Sequence, residues 1–146
     1  MNILIGVLSS LLLAPILLAS GQTGDCDFRQ AVVTGQSFYF RSPRYPEKYT
    51  PGTKCKMQAT SSWANNKLIL TCQIDIPRDP NGCINNKFVV KRYHGDGVLQ
   101  STNTYCGKRQ ISETSYSRTN YAQIHVDFTT SGSKTGRFSC TLSAST

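Results

Sequence analysis

Hydrophobic and polar residues alternate in several short runs of the chain, and no run with helical spacing extends beyond two turns. A period of two is typical of strands that bury one face. Residues 67–74, 122–128 and 137–142 alternate in this way, and residues 37–41 contain three consecutive aromatics. The pattern predicts strands over these ranges, with the following side chains facing inward: Leu68, Leu70, Cys72, Ile74, Ile124, Val126, Phe128, Phe138, Cys140 and Leu142.

Clusters of Gly, Pro and Asn separate these runs, as at 51–52, 80–82 and 95–97. Many short strands joined by such turns, without a helical segment, indicate an antiparallel sandwich or barrel. The single Trp63 lies in a polar stretch, so the buried Cys-Trp-Cys arrangement of immunoglobulin domains is not present. We therefore predict an all-β fold, a jelly-roll sandwich of two antiparallel sheets.

The first 24 residues contain no Lys, Arg, Asp or Glu. Their apolar run, from 3 to 18, is shorter than the ~20 residues of a membrane span, and Pro15 interrupts it. The small residues Ala19, Ser20 and Gly21 follow, as at a signal-peptide cleavage site. We predict a signal peptide over 1–21, with an end between 19 and 24. The protein that remains is expected to be secreted and extracellular, without a membrane span, and to form a single domain over 26–144.

All six cysteines lie beyond this apolar run. An even number of cysteines in a small exported domain is typical of disulfides. The closest two, Cys72 and Cys83, are too far apart for the Cys-x₂₋₄-Cys spacing of zinc sites. Sequence alone leaves the pairing open. The strand phases favour one bridge, between the inward-facing Cys72 and Cys140.

The segments 42–49 (Ser-Pro-Arg-Tyr-Pro-Glu-Lys-Tyr) and 105–107 (Tyr-Cys-Gly) resemble those of CUB domains. CUB domains are secreted jelly-roll modules of complement proteases, astacin-like proteases and spermadhesins. The resemblance runs from Cys26 to the C-terminus and includes a Gly-x-Phe close at 136–138. It implies two family disulfides and leaves one further pair, so that the three expected bridges are Cys26–Cys55, Cys83–Cys106 and Cys72–Cys140.

The additional cysteine pair resembles CUB domains of insect secreted proteins, among them the free-standing CUB proteins of predatory (assassin) bug venoms. The resemblance implies a CUB-only venom or salivary protein that acts as a non-catalytic binding module and toxin component. Two alternatives remain open. One is a regulator or partner of a trypsin-like protease, and the other is a seminal or haemolymph CUB binding protein.

Many CUB domains bind calcium through one Glu and two Asp. The resemblance places these three ligand positions at Arg78, at Asn86 and near Ser131. Calcium requires hard oxygen ligands, and its affinity depends on their charge. We therefore predict no metal site of the family type and no cofactor, with Asp75 or Asp79 as the alternative ligands.

The formal net charge of +8 lies entirely beyond the apolar run. A positive surface favours acidic glycans, anionic lipid headgroups or acidic proteins, although it also serves solubility alone. Nucleic acid is excluded because an exported protein seldom meets it and no recognition motif is present. The candidate contacts to an anion or to an extracellular protein, including a protease, are Lys54, Lys56, Lys87, Lys91, Arg92, Lys108 and Arg109.

Catalytic chemistry has little support in the sequence. His94 lies in a turn, and His125 is expected with Asp127 on the outer face of an edge strand, with no serine in a nucleophile motif. We therefore expect no enzyme. Tyrosines near turns are weaker candidates for partner contacts, since interfaces favour this residue: Tyr45, Tyr49, Tyr93, Tyr116 and Tyr121.

Overall fold

The structure is a computed structural model that describes residues 26–146, so the predicted signal peptide lies outside the described residues. This part of the chain forms nine strands and no helix. The strands are β1 (Phe28–Val32), β2 (Ser37–Arg41), β3 (Lys54–Ser61), β4 (Lys67–Ile76), β5 (Asn86–Tyr93), β6 (Leu99–Tyr105), β7 (Gly107–Tyr116), β8 (Gln123–Thr130) and β9 (Arg137–Ser145).

Two sheets pack face to face, as the jelly-roll prediction requires. The five-stranded sheet has the order β1-β3-β8-β5-β6, and the four-stranded sheet has the order β2-β9-β4-β7. One pair departs from the prediction of purely antiparallel sheets, because β1 runs parallel to β3. The chain leaves β1 through a short turn and enters the other sheet at β2, so β1 and β2 form no hairpin, and β1 instead adds to the edge of the five-stranded sheet.

An aromatic cluster joins the inner faces of the two sheets. Phe88 and Phe128 lie opposite each other on β5 and β8, and Phe138 of the other sheet packs against both rings. Ring centroids are 4.9 Å apart for Phe128 and Phe138, and 5.1 Å apart for Phe88 and Phe138, with edge-to-face geometry. Such pairs contribute about 0.5 to 1.5 kcal/mol beyond the burial of their area. All three rings are fully buried.

The segment 42–49 reaches this core at its two ends, where Ser42 and Tyr49 are buried, whereas residues 44–48 are exposed. The backbone N–H of Tyr49 donates to the carbonyl of Gly136 at 2.8 Å, and the Tyr49 ring packs edge-on against Phe128. Since Tyr49 is only 1% exposed, its prediction as a partner contact is wrong, and burial raises the pKa of its hydroxyl far above the usual value. A Cβ on Gly136 would lie 2.2 Å from the carbonyl oxygen of Asp75, which explains the glycine of the Gly-x-Phe close.

Three disulfides are present, and residues 26–146 hold no free cysteine. The pairs are Cys26–Cys55, Cys83–Cys106 and Cys72–Cys140, the same as those the resemblance implies. Cys72 and Cys140 are buried and directly opposite each other on β4 and β9. This bridge therefore links neighbouring strands of one sheet and closes a loop of 68 residues.

Replacement of both Cys72 and Cys140 by Ala is expected to lower the free energy of unfolding by about 4 kcal/mol, because the unfolded chain regains the entropy of a long loop. Urea denaturation measures this loss. The matched variant replaces Cys26 and Cys55, whose separation is 29 residues, and is expected to lose slightly less, about 3.5 kcal/mol. A smaller loss for the Cys72 and Cys140 variant than for this control would contradict the prediction.

Candidate anion-binding face

The outer face of the five-stranded sheet gathers basic side chains from three strands. Lys54 of β3 and Lys87 of β5 flank Thr129 of the central β8. Adjacent strands are about 5 Å apart, so these two lysines project from backbones about 10 Å apart. Lys56 and Lys91 lie on the same face, each next to β8, and each alternates along its strand with buried residues.

Arg29 joins this face from β1, because the parallel register places it beside Gln58 of β3. Arg29 was not among the predicted contacts, because its place on this face depends on the strand order and has no signal in the local sequence. We define the basic face by five exposed or half-buried cations on three strands: Arg29, Lys54, Lys56, Lys87 and Lys91.

One carboxylate, Asp127, lies at the centre of the basic face. Its Oδ2 atom accepts a hydrogen bond from Nζ of Lys91 at 3.1 Å. Both side chains are about one-third exposed, 36% and 35%, and a pair of this kind contributes little to stability. A second carboxylate, Asp27, lies at the edge of the face and accepts the backbone N–H of Lys56 at 3.1 Å. The two carboxylates offset two of the five cations and leave the face positive.

His125 lies between Gln58 and Lys91 in the same row of side chains. Its strand, β8, is the central strand of the sheet, so the prediction of an edge position for His125 and Asp127 is wrong. The imidazole is half-buried against the ring of Tyr93, with centroids 4.5 Å apart. Burial lowers the pKa of His125, with Lys91 and Arg29 acting in the same direction and Asp127 opposing. The imidazole is consequently neutral at pH 7.

The other three predicted cations do not join the basic face. Lys108 and Arg109 belong to β7 of the four-stranded sheet, where Lys108 lies beside Asp75 and the Arg109 guanidinium lies 5.8 Å from the centroid of the Tyr105 ring. Arg92 points inward from β5. The structure therefore unites four of the seven predicted contacts and separates the rest.

Arg92 of the five-stranded sheet contacts residues of the four-stranded sheet and so links the two. Its Nε atom lies 3.4 Å from Oε2 of the buried Glu113 on β7 and donates to the Ser101 hydroxyl on β6 at 2.6 Å. Its Nη1 atom donates to the Thr114 carbonyl at 2.9 Å. Because its guanidinium contacts Glu113, Ser101 and Thr114, Arg92 is a structural residue. Its geometry does not support its prediction as a partner contact.

Glu113 also accepts hydrogen bonds from β6, donated by the side-chain amide of Asn103 at 2.7 Å and by the hydroxyl of Tyr105. Burial, followed by the hydrogen bond to Glu113 and the carboxylate charge, raises the pKa of Tyr105 to about 12. A carboxylate with three side-chain partners and little exposure satisfies the condition under which a buried charge is tolerated.

Comparison with protein families shows a match of the CUB domain over residues 26–140. The chain belongs to the CUB domain family. CUB domains are generally non-catalytic binding modules of extracellular proteins. A comparison of the sequence with curated proteins finds no match.

Several solved structures share the fold. The full extracellular region of zebrafish Gpr126/Adgrg6 matches with a TM-score of 0.59 and 24% identity, over 78% of this chain and 14% of that one. The CUB1-EGF-CUB2 domains of rat MASP-1 match with a TM-score of 0.54 and 13% identity, over 80% of this chain and 42% of that one. The chain thus spans less than half of each of these two chains. The MASP-1 CUB2 domain bound to Ca²⁺ matches with a TM-score of 0.51 and 18% identity, over 77% of this chain and 97% of that one.

The loops at the predicted calcium position do not fit a calcium ion. Ser131 binds Asn85 instead, because its backbone N–H donates to the Asn85 carbonyl at 2.7 Å and its hydroxyl donates to the same oxygen at 3.2 Å. The side-chain oxygen of Asn86 is buried without a hydrogen-bond donor among the described residues. With Arg78, the three positions thus offer a guanidinium, an amide and a hydroxyl, but no carboxylate, which is a poor donor set for Ca²⁺.

The alternative carboxylates have partners of their own. Oδ2 of Asp79 accepts the backbone N–H of Asn85 at 2.8 Å, which holds the pKa of this carboxyl below its usual value. Asp75 lies between Arg137 and Lys108 in the register of the sheet. Within residues 26–146, no three His, Cys, Asp or Glu side chains are grouped as a metal would require. No helix in this part of the chain is long and apolar enough to cross a membrane.

Substitution of Glu113 by Gln is expected to lower the free energy of unfolding by about 3 kcal/mol, because Arg92 loses its buried counter-charge. The variant also changes the response to alkali. Since the folded pKa of Tyr105 is about 12 and the ordinary value is about 10, the wild-type protein loses stability as the pH rises through this interval. The Glu113→Gln variant should lose less stability than the wild type over the same pH interval.

Urea denaturation at pH 7 and at successive values up to pH 12, with tyrosinate absorbance, measures both effects. The control is Glu47→Gln, at the exposed other glutamate of the chain, which should behave as the wild type. An equal loss for both variants would show that Glu113 does not hold the sheets together.

Proposed function

We propose that the protein is a secreted CUB module that acts by binding, without catalysis, and that its basic face holds an acidic extracellular glycan. The observation that carries the proposal is the convergence of five cations on one sheet face that holds two carboxylates, Asp127 and Asp27. A surface of this kind raises the local concentration of polyanions and steers them to the face.

The spacing and chemistry of the face favour a linear polyanion. Lys54 and Lys87 lie across the sheet from each other in one row, and Arg29 and Lys91 do so in another. Lysine carries a compact, hydrated charge on a flexible stem, which suits repeated anionic groups better than one rigid carboxylate. Neutral polar residues between the cations, such as Gln58 and Thr129, offer hydrogen bonds to sugar hydroxyls.

We further propose delivery in a venom or saliva. The support is the bridge between Cys72 and Cys140, which resembles the additional pair of CUB proteins in predatory bug venoms. A protease partner is the competing proposal, and its support is the likeness to CUB regions that precede trypsin-like domains in related insect proteins. Co-purification with a protease from the source tissue would favour the competing proposal.

Replacement of Lys54 and Lys87 by Ser is expected to weaken binding to heparin, used as the acidic glycan, by about tenfold at low salt, since two opposed charges leave the face. Isothermal titration calorimetry measures the change in Kd. Binding of the wild-type protein should weaken as salt rises, because the Debye length shortens to about 8 Å at physiological ionic strength.

The matched control replaces Lys108 and Arg109 by Ser, which removes the same charge from the other sheet. This control should bind heparin nearly as the wild type does. Equal losses in the two variants would show that binding follows net charge and not the basic face. If the wild-type protein does not bind heparin, the glycan proposal fails, and titration with an acidic polypeptide tests the protein alternative.

A further inference from the structure

Exposed apolar side chains concentrate at one end of the sandwich. Among residues 26–146, nine large hydrophobic side chains are exposed, and Trp63 has the greatest exposure, 65%. Six of the nine lie on or beside four neighbouring connections between strands. We define the apolar end by these six residues: Val33, Trp63, Val98, Leu99, Tyr116 and Tyr121.

Backbone contacts join the four connections into one surface. The N–H of Ser62 donates to the carbonyl of Val32 at 2.9 Å, which ties the β3–β4 turn to the β1–β2 turn. The N–H of Ser61 donates to the carbonyl of Ala122 at 2.9 Å and adds the β7–β8 loop. The β5–β6 hairpin packs against the β7–β8 loop, since a Cβ on Gly95 would lie only 2.7 Å from the backbone nitrogen of Tyr121.

The connections hold these side chains in fixed positions. The hydroxyl of Ser61 donates to the carbonyl of Trp63 at 3.0 Å, and Asn65 has a positive φ of 66° that completes the turn. In the hairpin, the carboxylate of Asp96 accepts the backbone N–H of Val98 at 3.0 Å. The exposure of Trp63 and Val98 is therefore built into ordered turns.

Charge at the apolar end is sparse and favours an anionic surface. Asp96 is the only acidic residue in the four connections, and its carboxylate is hydrogen-bonded within its own hairpin. Two exposed cations lie near Tyr116. Lys67 is opposite Tyr116 in the register of β4 and β7, and Arg118 follows Tyr116 by two residues in the sequence. The whole chain carries a net charge of +8, so a negatively charged surface attracts it from a distance.

We propose that the apolar end docks on the headgroup interface of a lipid bilayer that contains anionic lipid. Tryptophan and tyrosine prefer this interface because each has an apolar ring and one polar group. Aliphatic residues at turn tips add buried apolar area, and nearby Lys and Arg add attraction to anionic headgroups. The apolar residues stand on separate turns among Ser, Thr, Asn and Gly, an arrangement suited to entry between headgroups more than to a continuous protein interface.

This inference does not depend on the proposed glycan binding. The apolar end comprises the turns at one end of the strands, whereas the basic face is the outer surface of one sheet. Docking through the turns sets the strands steeply against the bilayer and leaves the basic face beside the membrane rather than beneath it. The two surfaces are therefore separable by mutation.

Trp63 is the only tryptophan of the chain, so its fluorescence reports directly on this end. The test mixes the disulfide-bonded protein with vesicles of phosphatidylcholine and phosphatidylserine, and with vesicles of phosphatidylcholine alone. We expect a blue shift of Trp63 emission and protection from iodide quenching with the mixed vesicles, and weaker binding to phosphatidylcholine alone because the attraction to anionic headgroups is lost.

The variant Val98→Ser with Leu99→Ser keeps the Trp63 reporter and should lower the partition coefficient by about tenfold or more, since two apolar contacts are lost. The control is Tyr39→Ser, an exposed aromatic in β2 outside the apolar end, which should partition as the wild type does. All three replaced side chains are exposed, and urea denaturation verifies that the variants fold.

Binding to mixed vesicles without a change in Trp63 emission would mean adsorption through the basic face and would overturn the proposal. Absence of binding to both types of vesicle would overturn it as well, and the apolar end would then be a surface for a protein. Equal partitioning of the Val98 and Leu99 variant and of the wild type would also exclude docking by this end.

Discussion

The contact of Phe138 with Phe88 and Phe128 fixes which face of each sheet is buried. Because side chains alternate along a strand, burial of Phe88 and Phe128 commits every second residue of β5 and β8 to the outer surface. Lys87, Lys91 and Asp127 are exposed for this reason. The basic face is therefore a consequence of core packing, and a slip of one residue would bury its cations.

At the edge formed by β6 and β7, a disulfide and a cluster of polar side chains hold the two sheets together, in place of aromatic packing. Between β6 and β7 the chain passes from one sheet to the other, and Cys106 at the crossing is covalently held by Cys83. Farther along these strands, the carboxylate of Glu113 forms an ion pair with Arg92 and accepts hydrogen bonds from Asn103 and Tyr105, all three of the opposing sheet. A buried carboxylate is costly unless its partners are complete, so this cluster favours one alignment of β7 against β5 and β6.

Much of the fold was predictable because one-sided burial leaves a period of two, which the strands at 67–74, 122–128 and 137–142 show. The same period distinguishes Arg92 from the other cations, since Arg92 has the inward phase of Phe88 and Val90. Other features have no local signal. Arg29 reaches the basic face only through the parallel pairing of β1 with β3. Trp63 lies in a polar stretch, and its apolar neighbours come from turns distant in sequence. Tyr49 is buried although it lies in a loop, where no alternation of hydrophobic and polar residues predicts burial.

At the end of the sandwich opposite the apolar end, hydrogen bonds order the loops. There, Asp79 accepts the backbone N–H of Asn85 within the β4–β5 loop, and Ser131 donates to the Asn85 carbonyl and ties this loop to the loop after β8. These neutral and charge-assisted hydrogen bonds order the loops without the carboxylate cluster that an ion needs. Within residues 26–146, no cluster of carboxylates at this end offers a site for a cationic partner, whereas the exposed cations on β1, β3 and β5 present the opposite charge. The proposed recognition of anions therefore uses a sheet face and does not require loops ordered by an ion.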